Sequence, residues 1–166
     1  MRRCALLLLA AAAGCGYRTG FHLSEGHDTV GVEVFGNNSL VRNLEREVHA
    51  QTTRAVVSYV HAPLSAPAEA DLVLRGTITD YRRRGGTQTS QNRLIETGVR
   101  ISVRAELWDP RTGEVVAGPI TRSATVGYTL DVPDLEPPAR TRAIKNVADR
   151  IVLELFSKSP PPPESS

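Results

Sequence analysis

The clearest alternation in the chain runs through residues 99–108, where apolar Val99, Ile101, Val103, Ala105 and Leu107 interleave with Arg100, Ser102, Arg104, Glu106 and Trp108. Successive side chains of a strand point to opposite faces, so this pattern predicts a strand with one face on a core and the other open to solvent or a partner. Leu72, Leu74 and Ile78 alternate in the same way with Val73, Arg75, Thr77 and Thr79, and Val30, Val32 and Val34 with Gly31, Glu33 and Phe35. Gly76 falls inside the second of these runs, where a missing side chain leaves room for another group to approach the backbone. A further strand is predicted over 114–128. It is interrupted at Gly118-Pro119, where the absent proline N–H calls for a bulge or a sheet edge. The turn residues Asp109-Pro110-Arg111-Thr112-Gly113 join the last two strands as an antiparallel hairpin.

Two stretches carry the longer helical period. Over 40–60, Val41, Leu44, Val48, Ala55 and Tyr59 share a face while Arg42, Glu45, Arg46 and Thr53 lie away from it, and Gly36-Asn37-Asn38-Ser39 supplies the turn and N-cap ahead. Pro63 and Pro67 end that helix, and 61–70 reads as a surface connection. Over 139–156, Ile144, Val147, Ala148, Ile151 and Leu155 form one stripe, with Arg142, Lys145, Asp149 and Glu154 outside it. Residues 131–138 read as a proline-containing loop. The order is β-α-β-β-β-α. One apolar stripe per helix and alternating strands are satisfied by an α+β fold, with two helices packed on one face of a four-stranded, mostly antiparallel sheet. Arg75, Arg100, Arg104 and Trp108 then fall on the uncovered face.

The first residues do not fit that domain. Met1-Arg2-Arg3 is a basic head, an apolar run follows over 4–13, and Ala12-Ala13-Gly14 leads into Cys15. This is the layout of a secretory signal. Small residues before a cysteine resemble the lipobox of bacterial lipoproteins, which implies cleavage after residue 14 and acylation of Cys15. With Cys4 removed and Cys15 alkylated, the mature chain holds no internal disulfide. Residues 15–28, polar and containing Gly16, Gly20 and Gly26, read as a lipidated tether. A single domain over 29–157 follows, and then a proline-rich disordered tail over 158–166.

Charge narrows the function classes. The whole chain carries 20 basic and 18 acidic side chains, and loss of Arg2 and Arg3 with the signal leaves 18 of each. A balanced mature chain gives no reason to expect generic nucleic-acid binding. The sequence contains no Gly-x-Ser-x-Gly elbow, no His-Glu-x-x-His and no phosphate-cradling glycine loop, so neither an enzyme nor a cofactor is implied. His22, His27, His49 and His61 are scattered without metal-ligand spacing and read as surface residues. Asp80 and Asp109 sit at strand-end and turn positions without a visible acid or base partner.

Cys15-Gly16-Tyr17 after the lipobox, the strand Val30-Gly31-Val32-Glu33-Val34-Phe35, and Asn37 at the helix opening together resemble the LPS-assembly lipoprotein family, LptE. Ala70-Asp71-Leu72-Val73-Leu74-Arg75-Gly76 is similar to that family's second strand. Leu107-Trp108-Asp109 with Thr112-Gly113-Glu114 is similar to its hairpin. The resemblance implies a non-enzymatic lipoprotein anchored to the outer membrane and facing the periplasm and a barrel lumen. Its partner would be the translocon β-barrel, an LptD-type protein, whose assembly it supports, and it would bind lipopolysaccharide. A periplasm-facing regulatory or accessory lipoprotein of another envelope system, such as a wall-synthesis activator or secretion accessory, is the alternative.

The residues that could meet lipopolysaccharide are arginines. Arg82, Arg83 and Arg84 end the second long strand, Arg93 lies in the loop after it, and Arg100 sits on the next strand at the same end of the sheet. The planar guanidinium fork matches phosphate and carboxylate oxygens. The same charges would also serve as a solvated edge that discourages strand-to-strand aggregation.

Overall fold

The computed structural model describes residues 20–86, 90–91, 95–132 and 134–158. The signal peptide, Cys15, Arg93 and the proline-rich tail beyond 158 lie outside the described residues. Strand β1 is Val30–Val32, β2 is Gly36–Asn37, helix α1 is Leu44–Tyr59, β3 is Leu72–Arg84, β4 is Glu96–Asp109, β5 is Glu114–Thr129 and α2 is Glu136–Lys158. The sheet runs β1-β3-β4-β5, with β2 also pairing to β3. Pairing is parallel between β3 and the short β1 and β2, and antiparallel along β3-β4-β5. The fold is α+β, with both helices on one sheet face. Leu72, Leu74, Ile78, Val99, Ile101, Val103, Ala105 and Leu107 bury that face against Leu44, Val48 and Val56 of α1 and Ile144, Val147, Ile151 and Leu155 of α2.

The first predicted strand is two strands, and the break changes which side chains are buried. From Val32 to Gly36 the edge takes four steps while β3 takes three, from Leu74 to Thr77. The extra residue reverses the alternation. Val34, which the simple pattern places with Val30 and Val32, is 63% exposed, and Phe35 moves to the core at 2%. Phe35 occupies the space over Gly76, where an added Cβ would lie 2.6 Å from its ring and 2.5 Å from the Arg104 carbonyl oxygen. The close approach expected at Gly76 is thus that of an aromatic ring.

Both helices have different starts from those the periodicity predicts. Residues 40–43 remain a turn and α1 begins at Leu44, leaving Leu40 fully exposed. The Asn37 side chain accounts for this, donating to the Val41 carbonyl and to Glu45 while accepting from the Ser39 N–H and hydroxyl. These bonds satisfy the polar groups in a turn, and the N-cap position falls to Asn43, which makes no side-chain capping bond. Helix α2 begins at Glu136, earlier than the loop reading of 131–138 allows. Pro137 and Pro138 lie in its first turn, where the missing N–H costs no helical hydrogen bond.

Three register slips shape the long strands. In β3 the register slips between Ile78 and Asp80, so Thr79 is the extra residue. In β5 it slips twice, around Gly118-Pro119. The slip that contains Gly118-Pro119 joins the two alternatives left open at that proline, since β5 is also the outer strand of the sheet.

Residues 20–28, read as tether, lie against the domain. Phe21 bridges to Val60, Leu23 is 8% exposed within the core cluster, and the His27 imidazole reaches Asp109. The polar composition hides this docking in the sequence, because only Phe21 and Leu23 supply apolar contact.

Candidate functional site at the arginine end of the sheet

At the far end of β3 from the hairpin, the bulge at Thr79 decides where each arginine points. Ile78 faces the helices, but Asp80, one residue beyond the extra Thr79, pairs with Ser102 on the open face. Tyr81 and Arg83 therefore face the helices and Arg82 and Arg84 the open side. The three consecutive arginines, expected as one group, are divided.

Arg83 pairs with the Glu136 carboxylate at the N-terminus of α2. That hydrogen bond, together with the carboxylate charge, raises the Arg83 guanidinium above its ordinary value. Tyr128 donates its hydroxyl to the same carboxylate at 3.2 Å. Burial first, and the Glu136 charge next, push the Tyr128 phenol up. Arg140, one turn into α2, reaches Glu47 of α1 at 3.0 Å. This end of the helix layer is a linked set of charges that joins β3, β5, α1 and α2.

The open face is different. Arg82 lies directly opposite Arg100 in the β3-β4 register, and Arg84 is two residues further along the same strand. Like charges directly opposite one another destabilise a sheet. Asp80 offsets one of them, 3.1 Å from Arg82 Nε. Arg84 makes no side-chain bond among the described residues, and Arg100 has one long contact, 3.5 Å to the Ser123 hydroxyl. Its Nε is buried without an acceptor among the described residues. Arg82, Arg84, Arg100, Arg83 and Gly85 line a recess of about 380 Å³. An excess of cationic donors around an open recess is suited to an oxyanion.

On the helix side of the same end lies a second recess of about 420 Å³, with Tyr128, Leu130, Val132, Leu135, Arg83 and Arg140 in its wall. Leu130 and Val132 are exposed, and Ile95 joins them through a hydrogen bond from the Leu130 N–H to the Ile95 carbonyl at 3.0 Å. Sequence reading passed over these aliphatics because they sit in irregular segments, where no periodicity marks them. Arg83 thus stands between a cationic recess and an apolar ledge.

Further along the open face, Arg75 stacks on Trp108 at 4.4 Å from the ring centroid and is bonded to Glu106. Arg104 lies across from Thr77 beside a recess of about 400 Å³. These confirm the four residues expected on the uncovered face. Arg75 is neutralised and held in place, unlike the cluster at the strand end.

The acidic residues set aside in the sequence have structural partners. Asp109 accepts hydrogen bonds from the Arg111 and Thr112 N–H groups and pairs with His27 at 3.1 Å. Burial pushes its carboxyl up, but the bonds from His27, Arg111 and Thr112 outweigh burial and hold it at about 2. His27 is correspondingly part-buried, not a free surface histidine. Among the described residues, no group of three or more His, Cys, Asp or Glu is placed to hold a metal ion. No helix among them is long and apolar enough to cross a membrane.

The fold is similar to that of several solved bacterial structures. A minor lipoprotein from Acinetobacter baumannii shares 18% identity, over 79% of this chain and 94% of that one, with a TM-score of 0.51. The hypothetical protein CT253 from Chlamydia trachomatis shares 13%, over 79% and 99%, also with a TM-score of 0.51. The rare lipoprotein B from Shewanella oneidensis shares 17%, over 78% and 95%, with a TM-score of 0.48. At these identities the likeness is one of fold. No curated protein matches the chain in sequence. The family match covers residues 28–158, from the residue before Thr29 to the last residue of α2, and the chain belongs to the LptE lipopolysaccharide-assembly family.

Proposed function

We propose that the protein is a lipid-anchored, non-enzymatic component of a lipopolysaccharide translocon at the outer membrane. It supports the assembly of an LptD-type barrel and meets lipopolysaccharide at the arginine end of its sheet. Membership of the family supports the pathway, and the lipobox ending at Cys15 supports the anchor. The observation that carries the binding site is the placement of Arg82 directly across from Arg100, with Arg84 beside them and Asp80 the acid paired among them. A sheet tolerates such a cluster at a cost in stability, and a phosphate or carboxylate of lipopolysaccharide would relieve it.

The five arginines then have different roles. Arg82, Arg84 and Arg100 receive the anion, while Arg83 is engaged with Glu136 and holds the sheet to α2. Arg93 lies outside the described residues and is kept as a further proposed contact on its sequence position alone. The ledge of Ile95, Leu130 and Val132 offers apolar contact beside the cations, as an amphiphile with acyl chains requires.

Binding of purified lipopolysaccharide to the folded protein tests this division. Replacing Arg82 and Arg84 together by Gln is expected to weaken binding about a hundredfold or more, because each lost charge-assisted bond is worth about 1.5–3 kcal/mol. The residual binding should depend less on salt. Arg83→Gln should change binding less than the double variant and lower the melting temperature more. If Arg83→Gln alone abolished binding while the open-face pair had no effect, the assignment would be wrong.

A further inference from the structure

Residues 20–28, part of the stretch read as a tether, are bound to the domain at both ends and at Gly26. The Phe21 N–H donates to the Tyr59 carbonyl and the His61 N–H to the Phe21 carbonyl, both at 2.8 Å. Gly20 lies so close to His61 that a Cβ would sit 2.3 Å from the imidazole. Arg111 donates to the Gly26 carbonyl at 2.8 Å, and His27 pairs with Asp109. Asp71 accepts from the N–H groups of Asp28 and Thr29 and from the Thr29 hydroxyl. Those bonds, the Asp28 N–H foremost, hold the Asp71 carboxyl below its usual range.

The anchoring residues come from one pole of the molecule. Tyr59 and His61 close α1, Asp71 precedes β3, and Asp109 and Arg111 form the β4-β5 hairpin. Arg84 and Gly85 are at the opposite pole, twelve steps along β3 from Leu72. At about 3.3 Å per residue, the strand separates the poles by about 40 Å.

We infer that this segment is a clasp which shortens the lipid leash, so that the pole of His61, Asp71 and Arg111 is held against the bilayer and the arginine recess is held away from it. Gly20 is five residues on from Cys15, and five residues span at most about 18 Å whatever their conformation. Were the chain free to Thr29, its reach would be about 50 Å, enough for either pole to touch the membrane. The inference rests on acylation of Cys15. The occupant of the anchored pole is the lipid surface itself, set by where the leash ends. The arginines accordingly address a ligand or partner about 40 Å from the anchoring headgroups, a distance close to the full thickness of a bilayer.

The acylated full-length chain, reconstituted into phospholipid vesicles with an energy acceptor on the headgroups, reports this directly. Donor dyes are placed singly at Ala68→Cys, on the anchored pole, and at Gly85→Cys, where a Cβ meets nothing within 4 Å. Strong transfer from position 68 and weak transfer from position 85 are expected. Adding His27→Ala and Arg111→Ala should narrow that difference by raising transfer from position 85. Equal transfer from both positions in the unaltered clasp, or stronger transfer from 85, would overturn the inference. Because the clasp variant could unfold, amide hydrogen exchange on the original chain provides a second reading. The Phe21 and His61 N–H groups should be protected at least a hundredfold over a free chain, and free-chain exchange at both would overturn the clasp. Mass measurement of Cys15 checks acylation separately, so failure of the lipoprotein reading is distinguishable from failure of the clasp.

Discussion

Gly76 carries more of the fold than its size suggests. Its missing Cβ admits the Phe35 ring, and Gly76→Ala would put a methyl 2.5 Å from the Arg104 carbonyl and 2.6 Å from the ring. Such overpacking costs about 1–3 kcal/mol, which chemical denaturation would read as a lower midpoint with an unchanged slope. Asp109 makes a second claim at this scale. With a folded value of about 2 against an ordinary 3.8, its carboxylate contributes stability that is fully present above about pH 4. That stability is lost as the pH falls through 2. Melting temperatures between pH 5 and pH 2 should therefore fall more steeply for the natural protein than for Asp109→Asn, and parallel curves would contradict the role given to the His27 and turn hydrogen bonds. The possibility of close approach at Gly76 was legible in the sequence from an interrupted alternation. Asp109's partner was not, because His27 lies 82 residues away and local pattern holds no record of such a pairing.

At the scale of elements, regular alternation translated well and irregularity did not. β4 follows its pattern from Val99 to Leu107 with every second residue buried. The first strand broke between Val32 and Gly36, and a single inserted residue moved Phe35 inward and Val34 outward. Bulges defeat period counting because one residue reverses every face beyond it. The bulge at Thr79 likewise set the faces beyond it, turning Arg82 and Arg84 to the open side with Arg100 and Arg83 to the helices, so the sequence indicated the cationic end of the sheet but not which arginines meet on the open face. Helix starts were misplaced for another reason. Asn37 captures the backbone ahead of α1, and prolines enter the first turn of α2, where they are harmless. Since Phe35 is buried in the core over Gly76, Phe35→Ala should cost about 3–5 kcal/mol. Val34→Ala, at an exposed position two strand residues from Val32, should be nearly neutral, and denaturant midpoints of the two variants would distinguish the bulged edge from a continuous strand.

For the whole molecule, the two ends of one sheet have different work. One end receives the docked lead-in and the hairpin, and the other combines a cluster of arginines with exposed Ile95, Leu130 and Val132. Removing the acylation site by Cys15→Ser should release the protein from phospholipid vesicles that hold no barrel, since no described helix can span the bilayer and attachment to lipid alone then depends on the acyl chains. Persistence on those vesicles after a carbonate wash would contradict the anchor. The open-face arginines and the anchor belong to a single account only if the protein works beside a transporting barrel. The most direct test of that account is a mild-detergent pull-down of the tagged, acylated protein from outer membranes, with the co-purifying proteins identified and quantified by mass spectrometry. A stoichiometric LptD-type barrel is the predicted result. A soluble periplasmic or wall-bound partner, with no barrel present, would contradict it and favour an accessory lipoprotein of another envelope system.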